Sequence, residues 1–213
     1  MNMAVDEWLL GSQRALDSPP VLRIYFWDRP SYSIGYFQKV AQKNIPIVRR
    51  ITGGGRVCHG SDLTFSLTLK NPNCFLPNDA KSSYLRINEV LLAAFKPIYP
   101  KLDFTDCKTV PSGRGVKERN CFDLPSCYDL MLDGKKVVGS SQRRQNGALL
   151  HQSSVFLSGD RLTLTAALRR AFQEKWQIKL IEAPLNKQEL EKVRLIELQR
   201  YGSPAWAIDS RTR

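Results

Sequence analysis

Arg49-Arg50-Ile51-Thr52-Gly53-Gly54-Gly55-Arg56-Val57-Cys58-His59 is the stretch of this chain best suited to hold a ligand. Consecutive glycines let a backbone approach a bound group closely and adopt positive φ. Their successive N–H groups can converge on an anion or a carbonyl oxygen. Arg50 and Arg56 flank them with guanidinium groups that suit phosphate or carboxylate. The same residues would also make a solvated turn between strands, and the glycines alone do not choose. The spacing is neither that of a P-loop nor that of a dinucleotide-binding fingerprint.

Cysteine supplies a candidate nucleophile. Cys58, Cys74, Cys107, Cys121 and Cys127 are an odd, unevenly spaced set with no C-x-x-C pair, so neither a zinc site nor a disulfide framework is suggested. His59 and His151 are the two histidines, too few for a metal site built on that residue. Cys121 stands near the end of a polar stretch, Asp106 to Leu124, that has no helical or strand period. A loop of that length in a compact domain is commonly functional. An exposed thiol in basic surroundings is the one whose thiolate is favoured; an unreactive loop cysteine is the alternative. Cys58, Cys107 and Cys127 are expected to be small buried side chains. Of Lys135 and Lys136, neighbours on a strand, only one can point inward.

The elements around these residues follow from periodicity and punctuation. A helix is expected from Met3 to Leu16, then strands over Val21–Trp27, Ser31–Phe37 and from Ile45 into the glycine-rich loop. Gln38 to Lys43 reads as a short basic helix. Asp62 to Leu69 alternates apolar and polar, the pattern of a half-buried strand. Ser83 is placed to cap a helix through Phe95, and Thr163 or Thr165 one through Trp176. Asp133-Gly134 between two apolar runs predicts a type I′ hairpin, and Ala148 to Leu157 a further strand. Asn186 with Glu189 resembles a capping box for a last helix to Tyr201. Strands and helices mix without regular alternation. The fold class is therefore α/β (α+β): a mixed β-sheet with helices packed on it.

The chain has 213 residues, enough for one domain of ordinary size. No run approaches the ~18 apolar residues of a membrane helix, and the acidic start Met1-Asn2-Met3-Ala4-Val5-Asp6-Glu7 lacks a signal-peptide pattern. A cytoplasmic location without membrane association is expected. The net charge of +12 concerns partners, not fold. Arg29 to Ser61 holds six basic residues and no acidic one, and Gly134 to Gly159 four and none. Nucleic acid, a nucleotide phosphate and an acidic protein all fit. With no zinc finger, basic zipper or RNP-type motif, nucleic acid is not expected as a partner.

The run Arg-Arg-x-Thr-Gly-Gly-x-x-Val-x-His, followed by Leu63-Thr64-Phe65-Ser66, resembles the biotin/lipoate protein ligase superfamily. Asn2-Met3-Ala4-Val5-Asp6-Glu7, Ile34-Gly35-Tyr36-Phe37-Gln38 and Gly134-Lys135-Lys136-Val137-Val138-Gly139-Ser140-Ser141-Gln142 match further motifs of that superfamily in order. Asn120-Cys121-Phe122-Asp123-Leu124-Pro125-Ser126-Cys127-Tyr128-Asp129 resembles a segment of the octanoyltransferases nearest the ligases. The resemblance spans residues 2–160 and implies a catalytic domain of this type over 1–213, with a helical part at 161–213. The chain begins inside the first-helix motif, so a mis-assigned start or a shortened variant is expected. At Leu150-His151-Gln152-Ser153-Ser154 the order departs: His and Gln are exchanged and Ser replaces Gly.

What the resemblance implies is acyl transfer. Octanoyl acyl carrier protein would donate octanoate to Cys121, with Lys136 favouring the thiolate, and the acyl group would pass to a lysine of a lipoyl domain. That acceptor would be the glycine cleavage H protein or the acyltransferase subunit of a 2-oxoacid dehydrogenase. Arg50, Thr52, Gly53, Gly54, Gly55, Arg56, Val57, His59, Gly139, Ser140 and His151 would line the acyl site, with backbone amides of the glycine loop and near Gly139 holding the oxyanion, each worth ~3 kcal/mol. Such carrier proteins are acidic, which suits the acid-free basic segments. No cofactor or metal is implied. Two alternatives remain: an ATP-dependent lipoate ligase, which would need ATP and Mg²⁺, and an acyl-binding module without catalysis.

Overall fold

A computed structural model describes residues 1–13, 18–39, 46–108, 110, 121–123, 125–203, 205 and 206. In chain order the helices are α1 (Asn2–Ser12), α2 (Ala80–Phe95), α3 (Arg161–Trp176) and α4 (Lys187–Ile196). The strands are β1 (Val21–Tyr25), β2 (Ser31–Ile34), β3 (Ile47–Arg49), β4 (Val57–His59), β5 (Leu63–Lys70), β6 (Asp103–Phe104), β7 (Leu130–Leu132), β8 (Lys135–Lys136), β9 (Val138–Gln145) and β10 (Ala148–Val155). They form three sheets: β1-β5-β10-β9, antiparallel throughout; β3-β2-β4, with β2 and β3 parallel; and β6-β7-β8. The expected mixed architecture of sheet and helices is what the molecule has.

The centre of the fold is the β5–β10 pair, and its two faces have different chemistry. Leu63, Phe65, Leu67 and Leu69 of β5 point into the main core with Ile87, Leu91 and Phe95 of α2 and Leu168 and Phe172 of α3. Each such side chain contributes about 1.5–3 kcal/mol on burial. Thr64, Ser66 and Thr68 point the other way and are buried too. The expectation of a half-buried β5 was therefore wrong. Helix α1 lies across the polar face, where the carboxylate of buried Asp6 accepts from Ser66 Oγ at 2.7 Å, from Gln152 Nε2 at 2.7 Å and from Arg23 at 3.0 Å. Alternation in sequence marked two faces correctly, but a polar face covered by hydrogen-bonding partners is not a wet one.

Two caps also differ. Asp79, not Ser83, caps α2, accepting from the Ser82 amide at 2.8 Å, and Asp160, not Thr163, caps α3. In both, a carboxylate upstream starts the helix earlier than the hydroxyl would. The Asp133-Gly134 hairpin is as expected, with φ of 47° and 75°. A second hairpin, β9 to β10 through Asn146-Gly147 (φ 52° and 73°), was missed although Asn-Gly is the same signal. The Asn186–Glu189 capping box forms, and α4 continues as a π-helical turn, Glu197–Tyr201. The expected helix at Gln38–Lys43 and the far end of the first helix fall largely outside the described residues. No helix among the described residues is long and apolar enough to cross a membrane.

The cysteines depart most from expectation. Cys58 is exposed, because the middle residue of β4 faces away from its buried neighbours Val57 and His59. Cys107 and Cys127 are bonded to each other, with Cα atoms 4.6 Å apart. Their separation of 20 residues carries no motif, but pairing of β6 with β7 (Phe104 opposite Leu130) brings the two ends of the intervening loop together.

Candidate active site

Adjacent arginines at the end of β3 separate two tasks. Arg49 is fully buried and donates to the carbonyls of Gly35 (3.1 Å), Tyr36 (2.9 Å) and Trp206 (3.0 Å), tying the turn after β2 to a distant residue. Arg50 points the other way. Its guanidinium donates to Ser33 Oγ (2.8 Å), to the carbonyls of Gly53 and Gly55 (2.9 Å each) and to Thr52 Oγ1 (3.3 Å). The glycine loop thus wraps this side chain with its carbonyls. Of its three glycines only Gly54 takes positive φ, 89°. The loop also approaches Gly35 so closely that a Cβ there would lie 2.1 Å from the Gly54 carbonyl oxygen.

Arg50 borders a narrow, partly open cavity. From the residues expected in the site, Arg50, Val57, His59, Cys121, Gly139 and Ser140 line it. Thr52, Gly53, Gly54, Gly55, Arg56, Lys136 and His151 lie outside its wall. Thr52 is one layer behind, accepting from Ser141 Oγ at 2.9 Å and donating to Gln152 Oε1 at 2.7 Å. Arg56 contributes its carbonyl, which accepts from the Cys121 amide at 2.9 Å, while its guanidinium lies 5.0 Å above the Tyr32 ring.

Cys121 sits directly on β9. A Cβ built on Gly139 would be 3.0 Å from Cys121 Sγ and 2.7 Å from the Phe122 ring. Only a glycine lets the sulfur and ring settle there, and Phe122 is steadied by an edge-on contact with Phe156 at 4.9 Å between centroids.

Behind the cavity runs a chain of short hydrogen bonds. His59 Nε2 is 2.6 Å from Ser33 Oγ, and Nδ1 is 2.8 Å from Asp62 Oδ2. Trp27 stacks on the imidazole at 4.0 Å. Burial, with the Arg50 charge adding to it, holds the His59 pKa below its ordinary value despite Asp62. Burial pushes the Asp62 carboxyl up, but bonds from His59, Thr64 and the Gly60 amide outweigh it and keep the acid below the usual range. His59 is therefore a neutral, doubly bonded residue at neutral pH. Asp62, three residues on, was not foreseen as its partner.

The Lys136 side chain is 8% exposed and its ammonium is 2.7 Å from the carboxylate of Asp129. That partner was legible: the Asp-Gly turn sets a register in which Lys136 faces Met131, and Asp129 is two residues back on the same face. His151 lies on the core side of β10 against Phe65 and Tyr84, bonded to Gln142 and Ser153. Burial drives its pKa down to about 3. Its neighbour Gln152 takes the cavity side, held by Asp6 and Thr52. The exchanged order in the sequence thus puts an amide at the cavity and an imidazole in the core.

A family model described as the lipoyl protein ligase A/B catalytic domain matches residues 1–192. The chain belongs to this family. Among its curated relatives, the octanoyltransferase LipM of Moorella thermoacetica is 34% identical over 182 residues, 79% of this chain and 64% of that protein. The LipM of Halalkalibacterium halodurans is 32% identical over 216 residues, 90% of this chain and 78% of that one. The LipM of Bacillus cereus is 34% identical over 171 residues, 75% of this chain and 62% of its own length. The chain thus spans a little under two thirds of the first curated relatives it matches. Among solved structures, a lipoate-protein ligase A bound with ATP has a TM-score of 0.77 at 22% identity, covering 97% of this chain and 92% of the other. A bi-partite lipoate protein ligase from Thermoplasma acidophilum scores 0.75 at 21% identity, covering 100% and 92%. At that identity the likeness concerns the fold. Within the lipoyl protein ligase A/B frame, the site combines a buried arginine, a closed histidine–carboxylate pair and a cysteine seated on a glycine.

Proposed function

We propose that the chain transfers octanoyl groups from octanoyl acyl carrier protein to a lysine of a lipoyl domain, through a thioester on Cys121. The observation that carries this reading is the placement of the Cys121 sulfur against Gly139 in the cavity that Arg50 borders. Exchange of one thioester for another is nearly neutral in free energy, and a thiolate is the form that attacks. The naming of the relatives as octanoyltransferases supports the same chemistry. In this reading Lys136, held by Asp129, is the second essential residue, and the lysine of the acceptor domain releases the acyl-enzyme as an amide. The acceptor is a glycine cleavage H protein or a 2-oxoacid dehydrogenase acyltransferase subunit, met in the cytoplasm.

The test is intact-mass measurement after incubation with octanoyl acyl carrier protein without ATP. An octanoyl adduct is expected on the native chain and not on Cys121→Ser. No adduct, together with modification of a lipoyl domain from free lipoate and ATP, would replace transfer by ligation. Absence of both would leave an acyl-binding module.

A further inference from the structure

The site holds two buried cations whose charges are met in different ways. The Lys136 ammonium has a carboxylate at 2.7 Å, and Asp129 is itself fixed by the Ser126 amide at 2.6 Å. Arg50, 5% exposed, has no carboxylate within ion-pair distance among the described residues. Its bonds go to neutral acceptors: two carbonyls and the hydroxyls of Ser33 and Thr52. Asp62 is reached from Arg50 only through Ser33 and neutral His59. A buried charge with no counter-ion is costly, and here the folded chain holds it rigidly at the cavity wall.

Cys121 shares that wall. Burial lowers the Arg50 pKa, and a thiolate at Cys121 is the largest influence that would oppose it. Tyr84 feels the same sulfur; burial first, then that charge, push its phenol up to about 12, so it stays neutral. From these positions we infer that Arg50, and not Lys136, which is already paired with Asp129, is the counter-charge to the reacting sulfur. The assignment rests on the proposed acyl transfer. In that reaction the Cys121 thiolate attacks the donor thioester carbon and a C–S bond forms. The negative charge moves to the carbonyl oxygen, and collapse expels the carrier's sulfur as thiolate. One charge is conserved throughout, nothing is oxidised or reduced, and a guanidinium, which does not deprotonate in this range, can face it at each stage.

Two alkylating reagents of different charge test this in a Cys58→Ser, Cys74→Ser background, which removes the exposed free thiols. The ratio of Cys121 modification by anionic iodoacetate to that by neutral iodoacetamide reports the local potential and cancels the fraction of thiolate. Arg50→Gln is expected to lower the ratio about tenfold, Arg50→Lys to lower it less than threefold, and Lys136→Ala to leave it within twofold while still abolishing octanoyl transfer. A ratio unchanged in Arg50→Gln, or lost in Lys136→Ala, overturns the assignment. The Lys136→Ala measurement decides even if Arg50→Gln does not fold. Alkylation needs no acyl donor. A chain that shows the expected ratios but forms no octanoyl adduct therefore supports Arg50 as counter-charge and refutes octanoyl transfer.

Discussion

The two walls of the cavity are built on different principles. One wall, from Arg50 through Ser33 and His59 to Asp62, is closed to solvent and hydrogen-bonded at every step. The other carries Cys121 on a segment joined to the body by the Arg56 carbonyl, the seat on Gly139 and the Cys107–Cys127 bond. Its far end is held by Asn88 Nδ2 on the Tyr128 carbonyl at 2.9 Å and by the Thr105 amide on Asp129 at 2.7 Å. A wall of satisfied buried polar groups supplies fixed charge and fixed distance, as an electrostatic site requires. A half-buried cysteine at the cavity supplies access for a thioester donor. Changes to the two walls should therefore separate stability from activity.

The largest effect belongs to the cysteine wall. Cys121→Ser is expected to lower octanoyl transfer by a factor on the order of 10³ or more, as for loss of other enzymic nucleophiles. Because Cys121 is half-buried and its sulfur is replaced by a smaller atom, unfolding free energy should move by less than ~1 kcal/mol. Denaturant unfolding together with the transfer assay checks both, and a large loss of stability would show that the cysteine is structural. Asp62→Asn should do the reverse. Asp62 accepts from His59, Thr64 Oγ1 and the Gly60 amide while fully buried, and an amide cannot accept all of them. A loss of about 3 kcal/mol in stability is expected, measured by the same unfolding curves.

His151 extends the contrast to the core side of β10. Its folded pKa is about 3, whereas an unfolded histidine titrates near 6.5. The unfolded chain takes up a proton that the folded one refuses, so this residue's stability is complete above about pH 6.5 and is lost as pH falls toward 3. By pH 5 the loss is about 2 kcal/mol. His59, also held below its ordinary value by burial, adds in the same direction. His151→Gln should flatten most of the slope between pH 7 and pH 5 in urea midpoints. An unchanged slope would mean that His151 is solvated in the folded chain.

The cavity wall that is rigid was also the one the sequence revealed most readily. Arg50, Val57 and His59 belong to a compact local pattern, and β-pairing over a few residues gathers them. What escaped were the groups that meet only through long-range pairing. Ser33 joins Arg50 and His59 because β2 lies between β3 and β4. Gln152 reaches the cavity because α1 covers the polar face of β5–β10 and supplies Asp6. Hairpin register made Lys136 and Asp129 predictable as a pair, but Cys107 and Cys127 had no local signal at all. Alternation likewise found the faces of β5 yet could not say that α1 would bury the polar one.

Gly139→Ala probes the seam between the walls and should have the smallest effect of the four. The new methyl would meet the Phe122 ring at 2.7 Å and Cys121 Sγ at 3.0 Å. Gly139 belongs to β9, which is bonded along its length to β10, so β9 cannot yield. Cys121 and Phe122 must shift instead, and both are only half-buried. Stability should therefore fall by no more than about 1 kcal/mol. Transfer should fall about tenfold, since displacement of a reacting atom by under an ångström is costly to positioning. The iodoacetate-to-iodoacetamide ratio at Cys121 should change with it, because the sulfur must shift away from residue 139. If transfer falls while that ratio holds, the methyl obstructs the acyl donor and the sulfur has kept its place. If neither changes, the contact between Cys121 and β9 is not part of the working site, and the cysteine wall is looser than its packing on Gly139 implies.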